Sequence, residues 1–173
     1  MHKLFLVLSL AAALLVGCAS EPKPDPKPGF EHAQGQDKLK NMRDDAQKLA
    51  KLPEHKAPRV EVQHLLISFA GTGTEAVRTK QEAENLASEV YARVLAGEDF
   101  DELITRYTDD SPPGIYGMVA DKSEARKDGP YWRKGMVGAF GNVAWRLEVG
   151  EIGIAAHDET ASPYGWHIIK RLK

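Results

Sequence analysis

The sequence has one cysteine among its 173 residues, no excess of either charge, and no apolar run long enough to cross a bilayer. A single cysteine excludes an intramolecular disulfide, and with it the small disulfide-stapled scaffolds. A formal net charge of -2 leaves no electrostatic footprint for nucleic acid, so no nucleic-acid partner is expected. The longest apolar stretch, residues 4–16 (LFLVLSLAAALLV), has thirteen residues, short of the roughly 20 that a spanning helix needs. What is there, 42% hydrophobic and 28% charged residues, suits one ordinary globular domain with an extension.

The extension begins with a leader. Lys3 supplies a positive start and residues 4–16 the apolar middle of a secretory signal. The next residues, Leu15-Val16-Gly17-Cys18, resemble the lipobox of bacterial lipoproteins. That resemblance implies a signal peptide over residues 1–17, cleavage before Cys18, and acyl chains on the cysteine. Lipidation removes the awkwardness of an unpaired thiol in an exported protein, and at ~0.8 kcal/mol per buried methylene the chains make a lasting anchor. Ala19 and Ser20 follow, with no Asp after the cysteine. By resemblance this implies the outer membrane, facing the periplasm.

Residues 18–57 read as a lipidated stalk ending in a short helix. The stretch EPKPDPKPG, residues 21–29, alternates proline with charge. Proline fixes φ and lacks an N–H, so the segment is expected to be extended, reaching roughly 50 Å over residues 19–34 at ~3.1 Å per residue. Residues 36–52 turn helical, with Leu39, Met42, Ala46 and Leu49 forming a narrow seam. Such a seam either lies on the domain or forms a dimerising zipper. Two heptads are marginal for a zipper, so a monomer is expected. Pro53 and Pro58 close the segment.

Residues 58–173 form the domain. Residues 59–69 (RVEVQHLLISF) alternate as a half-buried strand with Val60, Val62, His64 and Leu66 on one face. Thr79 and Glu82 make a capping box ahead of a helical pattern from Ala83 to Leu95. Asp99 caps a second helix that buries Phe100, Leu103, Ile104 and Tyr107. A turn at Ser111-Pro112-Pro113-Gly114 leads to a strand near residues 115–120, then a charged loop over 121–129. A helix over 139–147 and strands near 151–157 and 164–172 close the chain. The order β, α, α, β, α, β, β predicts an α+β fold, with helices surrounding a four-stranded, mostly antiparallel sheet.

Six motifs in this order resemble the parvulin family of peptidyl-prolyl cis/trans isomerases. They are His64-Leu65-Leu66, the run from Gly97 to Leu103 (GEDFDEL), and Tyr107-Thr108-Asp109-Asp110-Ser111. Gly135-Met136 with Phe140, Leu147-Glu148-Val149-Gly150-Glu151-Ile152, and Tyr164-Gly165-Trp166-His167-Ile168-Ile169-Lys170 complete the set. The resemblance implies a prolyl isomerase needing no cofactor and no metal, acting on proline-containing exported polypeptides. It places His64 and His167 side by side at the sheet centre, with Ser162 as their hydroxyl neighbour and Asp110 at the family's acidic-or-thiol position. Met136 and Phe140 fall on the walls of the proline pocket, where Tyr116 replaces an aliphatic residue and narrows the pocket or adds a hydroxyl. The loop over 121–130 is longer than usual and is expected to reshape or cover the groove. Phosphate-directed parvulins carry a basic cluster after the first strand. Here Arg78 and Lys80 are the only candidates, and both read as solvated surface charges.

The chemistry asks little of reactive side chains. Turning an Xaa-Pro bond breaks amide resonance across a barrier of ~18–20 kcal/mol. A site that holds the ring in an apolar pocket and favours the twisted amide over both planar forms suffices. The same groove would also serve a tethered chaperone that binds peptide and scarcely isomerises it.

Overall fold

The structure, a computed structural model, describes residues 32–173. The leader, Cys18 and the Pro-charged stretch lie outside the described residues. The chain runs through α1 (His32–Leu49), β1 (Arg59–Ile67), α2 (Lys80–Leu95), α3 (Phe100–Tyr107) and β2 (Ile115–Val119). It continues through β3 (Tyr131–Trp132), α4 (Gly138–Arg146), β4 (Ile152–Ala155) and β5 (Trp166–Arg171). None of the described helices is long and apolar enough to cross a membrane.

The sheet order is β3-β2-β1-β5-β4, antiparallel except for the short parallel pairing of β3 on β2. The α+β expectation holds, and four of the strands are the expected ones. The fifth, β3, is two residues at the end of the charged loop, too short to carry a period-2 signal. The loop itself contains a 3-10 turn at Lys122–Glu124, capped by Asp121. It packs beside Gly117 through Pro130, on the outer side of β2.

Local sequence explains the helices. Thr79 and Glu82 form the reciprocal capping box that starts α2, and Asp99 accepts the Glu102 N–H at the start of α3. Each helix then buries one stripe. Ala83, Ala87, Val90, Tyr91 and Val94 do so on α2, and Phe100, Leu103, Ile104 and Tyr107 on α3. These side chains cover the sheet face carrying Leu65, Ile67, Ile154 and Ile168. The opposite face carries Val60, Val62, Met118 and Ile169, which pack beneath Phe140, Val143 and Trp145 of α4.

The seam of α1 lies on its own domain. Met42 is 1% exposed and joins the cluster of α2 and α3, with Leu39 and Ala46 packed against it. Leu49 reaches the other cluster. Arg43 forks onto Glu84 of α2 at 2.8 and 2.7 Å, and the Tyr91 hydroxyl donates to Asp45. The segment after α1 is held as well, since His55 N–H donates to the Trp145 carbonyl and the Trp145 indole donates to Ala57.

Candidate active site

Strands β1 and β5 carry the two histidines. Leu66 pairs directly with His167, which makes His64 the diagonal neighbour of His167 on the α4 face of the sheet. Both rings are buried, stacked with centroids 5.4 Å apart and planes 20° apart. Their Nδ1 atoms are 3.3 Å from each other. On the other side of β1, Val62 pairs with Tyr116 of β2, which sets the Tyr116 ring edge-on to His64 at 5.1 Å.

Strand β2 pairs with β1 only as far as Gln63, leaving the rest of that edge to the segment after α3. Leu66 N–H donates to Thr108 Oγ1, Asp109 N–H donates to the Leu66 carbonyl, and Ser68 N–H donates to the Asp109 carboxylate. These bonds bring Asp110 to His64, with Oδ2 3.0 Å from Nε2. The Tyr116 hydroxyl donates to the same oxygen at 3.0 Å. Gly114 allows the close approach, because at φ +69° a Cβ there would lie 2.3 Å from the His64 carbonyl oxygen.

The electrostatics follow from these contacts. The His64 hydrogen bond holds the Asp110 carboxyl far below its usual range against burial, helped by the Ser111 N–H and the Tyr116 hydroxyl. Burial first, then the bond to Asp110, pushes the Tyr116 phenol up to about 12. Burial first, then the neighbouring His64, pushes His167 down to about 3, with Asp110 opposing. An ionised Asp110 can only accept, so His64 Nε2 is the donor. Where His64 Nδ1 carries no proton it accepts from His167 Nδ1–H, and His167 Nε2 is then left with a lone pair. That nitrogen is buried without a hydrogen-bond partner among the described residues.

Beside this array opens a cleft of about 260 Å³, just below the roughly 300–1,000 Å³ usual for ligand pockets. Met136, Val137, Phe140 and the Tyr116 ring supply its apolar lining, and Thr74, Asp109, Asp110 and Tyr164 its polar lining. Phe140 is 2% exposed and packs edge-on to His64 at 5.1 Å. Met136, just ahead of α4, is half-buried.

The structure brings together six of the expected residues, His64, Asp110, His167, Tyr116, Met136 and Phe140, and Tyr116 joins them through both its ring and its hydroxyl. Ser162 departs from the expectation. It is buried, but its hydroxyl donates to the Gly165 carbonyl at 2.9 Å and bonds to neither imidazole. Gly165 sits at φ +138°, where a Cβ would come 2.1 Å from the Ile67 carbonyl oxygen, and that tight turn draws the Ser162 hydroxyl away. Arg78 is corrected too. Its guanidinium is 2.5 Å from Asp109 and donates to the Ser68 carbonyl, so it ties the loop after β1 to the 108–110 segment. The 121–130 loop contributes nothing to the cleft lining, and its neighbour Tyr131 only leans on the Tyr116 ring at 5.9 Å. Val137, Thr74 and Asp109 were not singled out from the sequence as lining. Of these only Asp109 carried a signal, as the neighbour of Asp110 in a recognisable motif.

Comparison with known proteins shows the family and the fold. Residues 47–173 match the family model described as the PPIC-type PPIASE domain. Among curated relatives, the chain is 28% identical over 113 residues to Chaperone SurA of Pseudomonas fluorescens, covering 65% of this chain and 22% of that protein. It is 29% identical over 119 residues to Foldase protein PrsA 4 of Bacillus cereus, covering 69% of this chain and 33% of that protein. The chain thus spans a third or less of the length of these relatives. In fold it is similar to the peptidyl-prolyl isomerase ESS1 from Candida albicans, with a TM-score of 0.50 and 21% identity, covering 86% of this chain and 80% of that one.

Proposed function

The chain belongs to the PPIC-type (parvulin) peptidyl-prolyl isomerase domain family, and from that premise we propose that it isomerises Xaa-Pro bonds in exported polypeptides and so assists their folding at the cell envelope. The observation that carries the reading is the cleft. Its apolar lining of Met136, Val137 and Phe140 abuts the array of His64, His167, Asp110 and Tyr116.

Catalysis here is non-covalent. The proline ring packs on Met136 and Phe140, and the Xaa-Pro amide lies toward the polar lining. The twisted amide is less polar than either planar form, so an apolar, water-poor wall favours it. Asp110 and Tyr116 hold His64, and His64 holds His167, so the wall keeps its shape as the amide turns. His64, Asp110 and His167 are assigned orienting and electrostatic roles. Ser162 is assigned to the turn that supports β5. No adduct on Asp110 is required.

A second reading is a peptide-binding module with little turnover. The relative's name, Chaperone SurA, favours it. The anchor belongs to the same proposal, with residues 1–17 as signal, a lipid on Cys18, residues 18–57 as tether and short helix, and 58–173 as the isomerase domain, facing the periplasm from the outer membrane. Relatives named chaperone and foldase support a role in polypeptide folding.

The deciding experiment is cis-to-trans exchange on short Xaa-Pro peptides with the purified full-length protein. Catalysis is expected. Binding without acceleration across a panel of Xaa residues replaces the isomerase reading by the chaperone one. Cys18→Ser should leave exchange intact and release the protein from membranes; retention of that variant in the membrane fraction removes the anchor from the proposal.

A further inference from the structure

We infer that the cleft selects segments in which the residue before proline is cationic, lysine or arginine, and discriminates against acidic and phosphorylated residues there. The inference rests on the isomerase reading of the same cleft.

The cleft lining divides into apolar and polar side chains. With the proline ring seated on Met136 and Phe140, the preceding residue is left to the polar lining of Thr74, Asp109, Asp110 and Tyr164. The lining includes two carboxylates and no lysine or arginine. Asp109 is matched by Arg78 at 2.5 Å, with the two side chains 15% and 14% exposed, so that pair presents little net charge. Asp110 differs. Its side chain keeps 34% exposure, and its partners are an imidazole, a phenol and a backbone N–H, with no lysine or arginine paired to it among the described residues. It therefore presents a fixed negative charge at the mouth of a low-dielectric wall, where field lines are concentrated.

The surrounding charges do not cancel it. Lys80 is drawn over the Phe69 ring at 5.9 Å. Arg133 is committed to Glu54 and stacks on Trp145. Lys134 is exposed but does not line the cleft. A phosphate would bring almost two further negative charges into this field without a basic partner in the lining.

The test measures kcat/KM by exchange spectroscopy, and Kd by peptide titration, on one peptide series. Only the residue before proline changes: Lys, Arg, Gln, Glu and phosphoserine. At an ionic strength of about 0.01 M the Lys and Arg peptides should exceed Glu by about tenfold, with phosphoserine lowest. The ratio should shrink several-fold at about 0.3 M salt. Thr74→Lys, which sets a cation at the rim, should lower or invert the Lys-to-Glu ratio, whatever it does to the absolute rate. Equal values for Lys and Glu at low salt, or Glu above Lys, overturn the inference and leave the isomerase reading standing. If no peptide is accelerated, the isomerase reading falls, and the order of Kd values alone upholds or overturns the charge selection.

Discussion

The Nδ1 atoms of His64 and His167 face each other at 3.3 Å across adjacent antiparallel strands. Two like ring nitrogens at that distance share one proton, so the protonation of one ring dictates what the other can offer. With Asp110 fixing the outer nitrogen of His64, a His64 Nδ1 without a proton makes the order of donors run outward, from His167 to His64 to the carboxylate.

Acid should therefore destabilise the protein through His167. Its folded pKa, about 3, lies below its ordinary 6.5, so between those values the unfolded chain holds a proton that the native state lacks. The associated stability is fully present above pH 6.5 and lost progressively as pH falls towards 3. The slope from one such group is at most about 1.4 kcal/mol per pH unit. Denaturant titrations at pH 7 and 5 check this. His167→Gln should be less stable at pH 7 but show a smaller difference between the two pH values than the parent, and an equal difference removes His167 as the cause.

Tyr116→Phe deletes only the hydroxyl that donates to Asp110. Hydrogen bonds to charged groups contribute ~1.5–3 kcal/mol when buried, and Tyr116 is half-exposed, so a stability loss of about 1 kcal/mol is expected. Turnover should fall by more than the lost stability explains, about tenfold, because Asp110 and His64 lose a fixed partner. Unchanged kcat/KM would assign the phenol to packing alone.

Met136 and Phe140 should separate. Phe140 is buried between His64, His167 and Tyr116, so Phe140→Ala should cost about 3–5 kcal/mol and confound any activity measurement. Met136 is half-buried at the cleft, and Met136→Ala should cost about 1 kcal/mol while raising KM several-fold. Thermal melts beside exchange kinetics distinguish the two residues. An activity loss for Met136→Ala that tracks unfolding would make it a core residue.

Helix α1 should behave as part of the domain. Met42 is 1% exposed, and Met42→Ala should cost about 2–5 kcal/mol. A chain that begins at residue 58 lacks the whole of α1 and should melt well below the full-length protein. Equal melting temperatures would mean that the α1 contacts contribute nothing.

The parts legible in the sequence were those set by neighbours in the chain. Thr79 with Glu82, and Asp99 with Glu102, announce their helices because a cap and its target lie within four residues. The alternation of Val60, Val62, His64 and Leu66 declares a sheet face because the period is local. The partners of Ser162 and Arg78 are not legible in the sequence because distant docking sets them. The Ser162 hydroxyl turns to Gly165 because that turn packs on Ile67, and Arg78 is fixed only once the 108–110 segment lies along β1. Tyr116 was recognisable as a departure, yet its bond to Asp110 depends on the register that pairs it with Val62.

The packing of α1 also determines where mechanical load enters the molecule. Tension on the chain ahead of His32 is delivered first to α1, whose hold is on α2 and on β4, the edge strand of the sheet. The histidines sit farther in, on β1 and β5, each of which is braced by a strand on either side. A pull applied there therefore strains the clamp between α1 and the sheet edge before it reaches the rings.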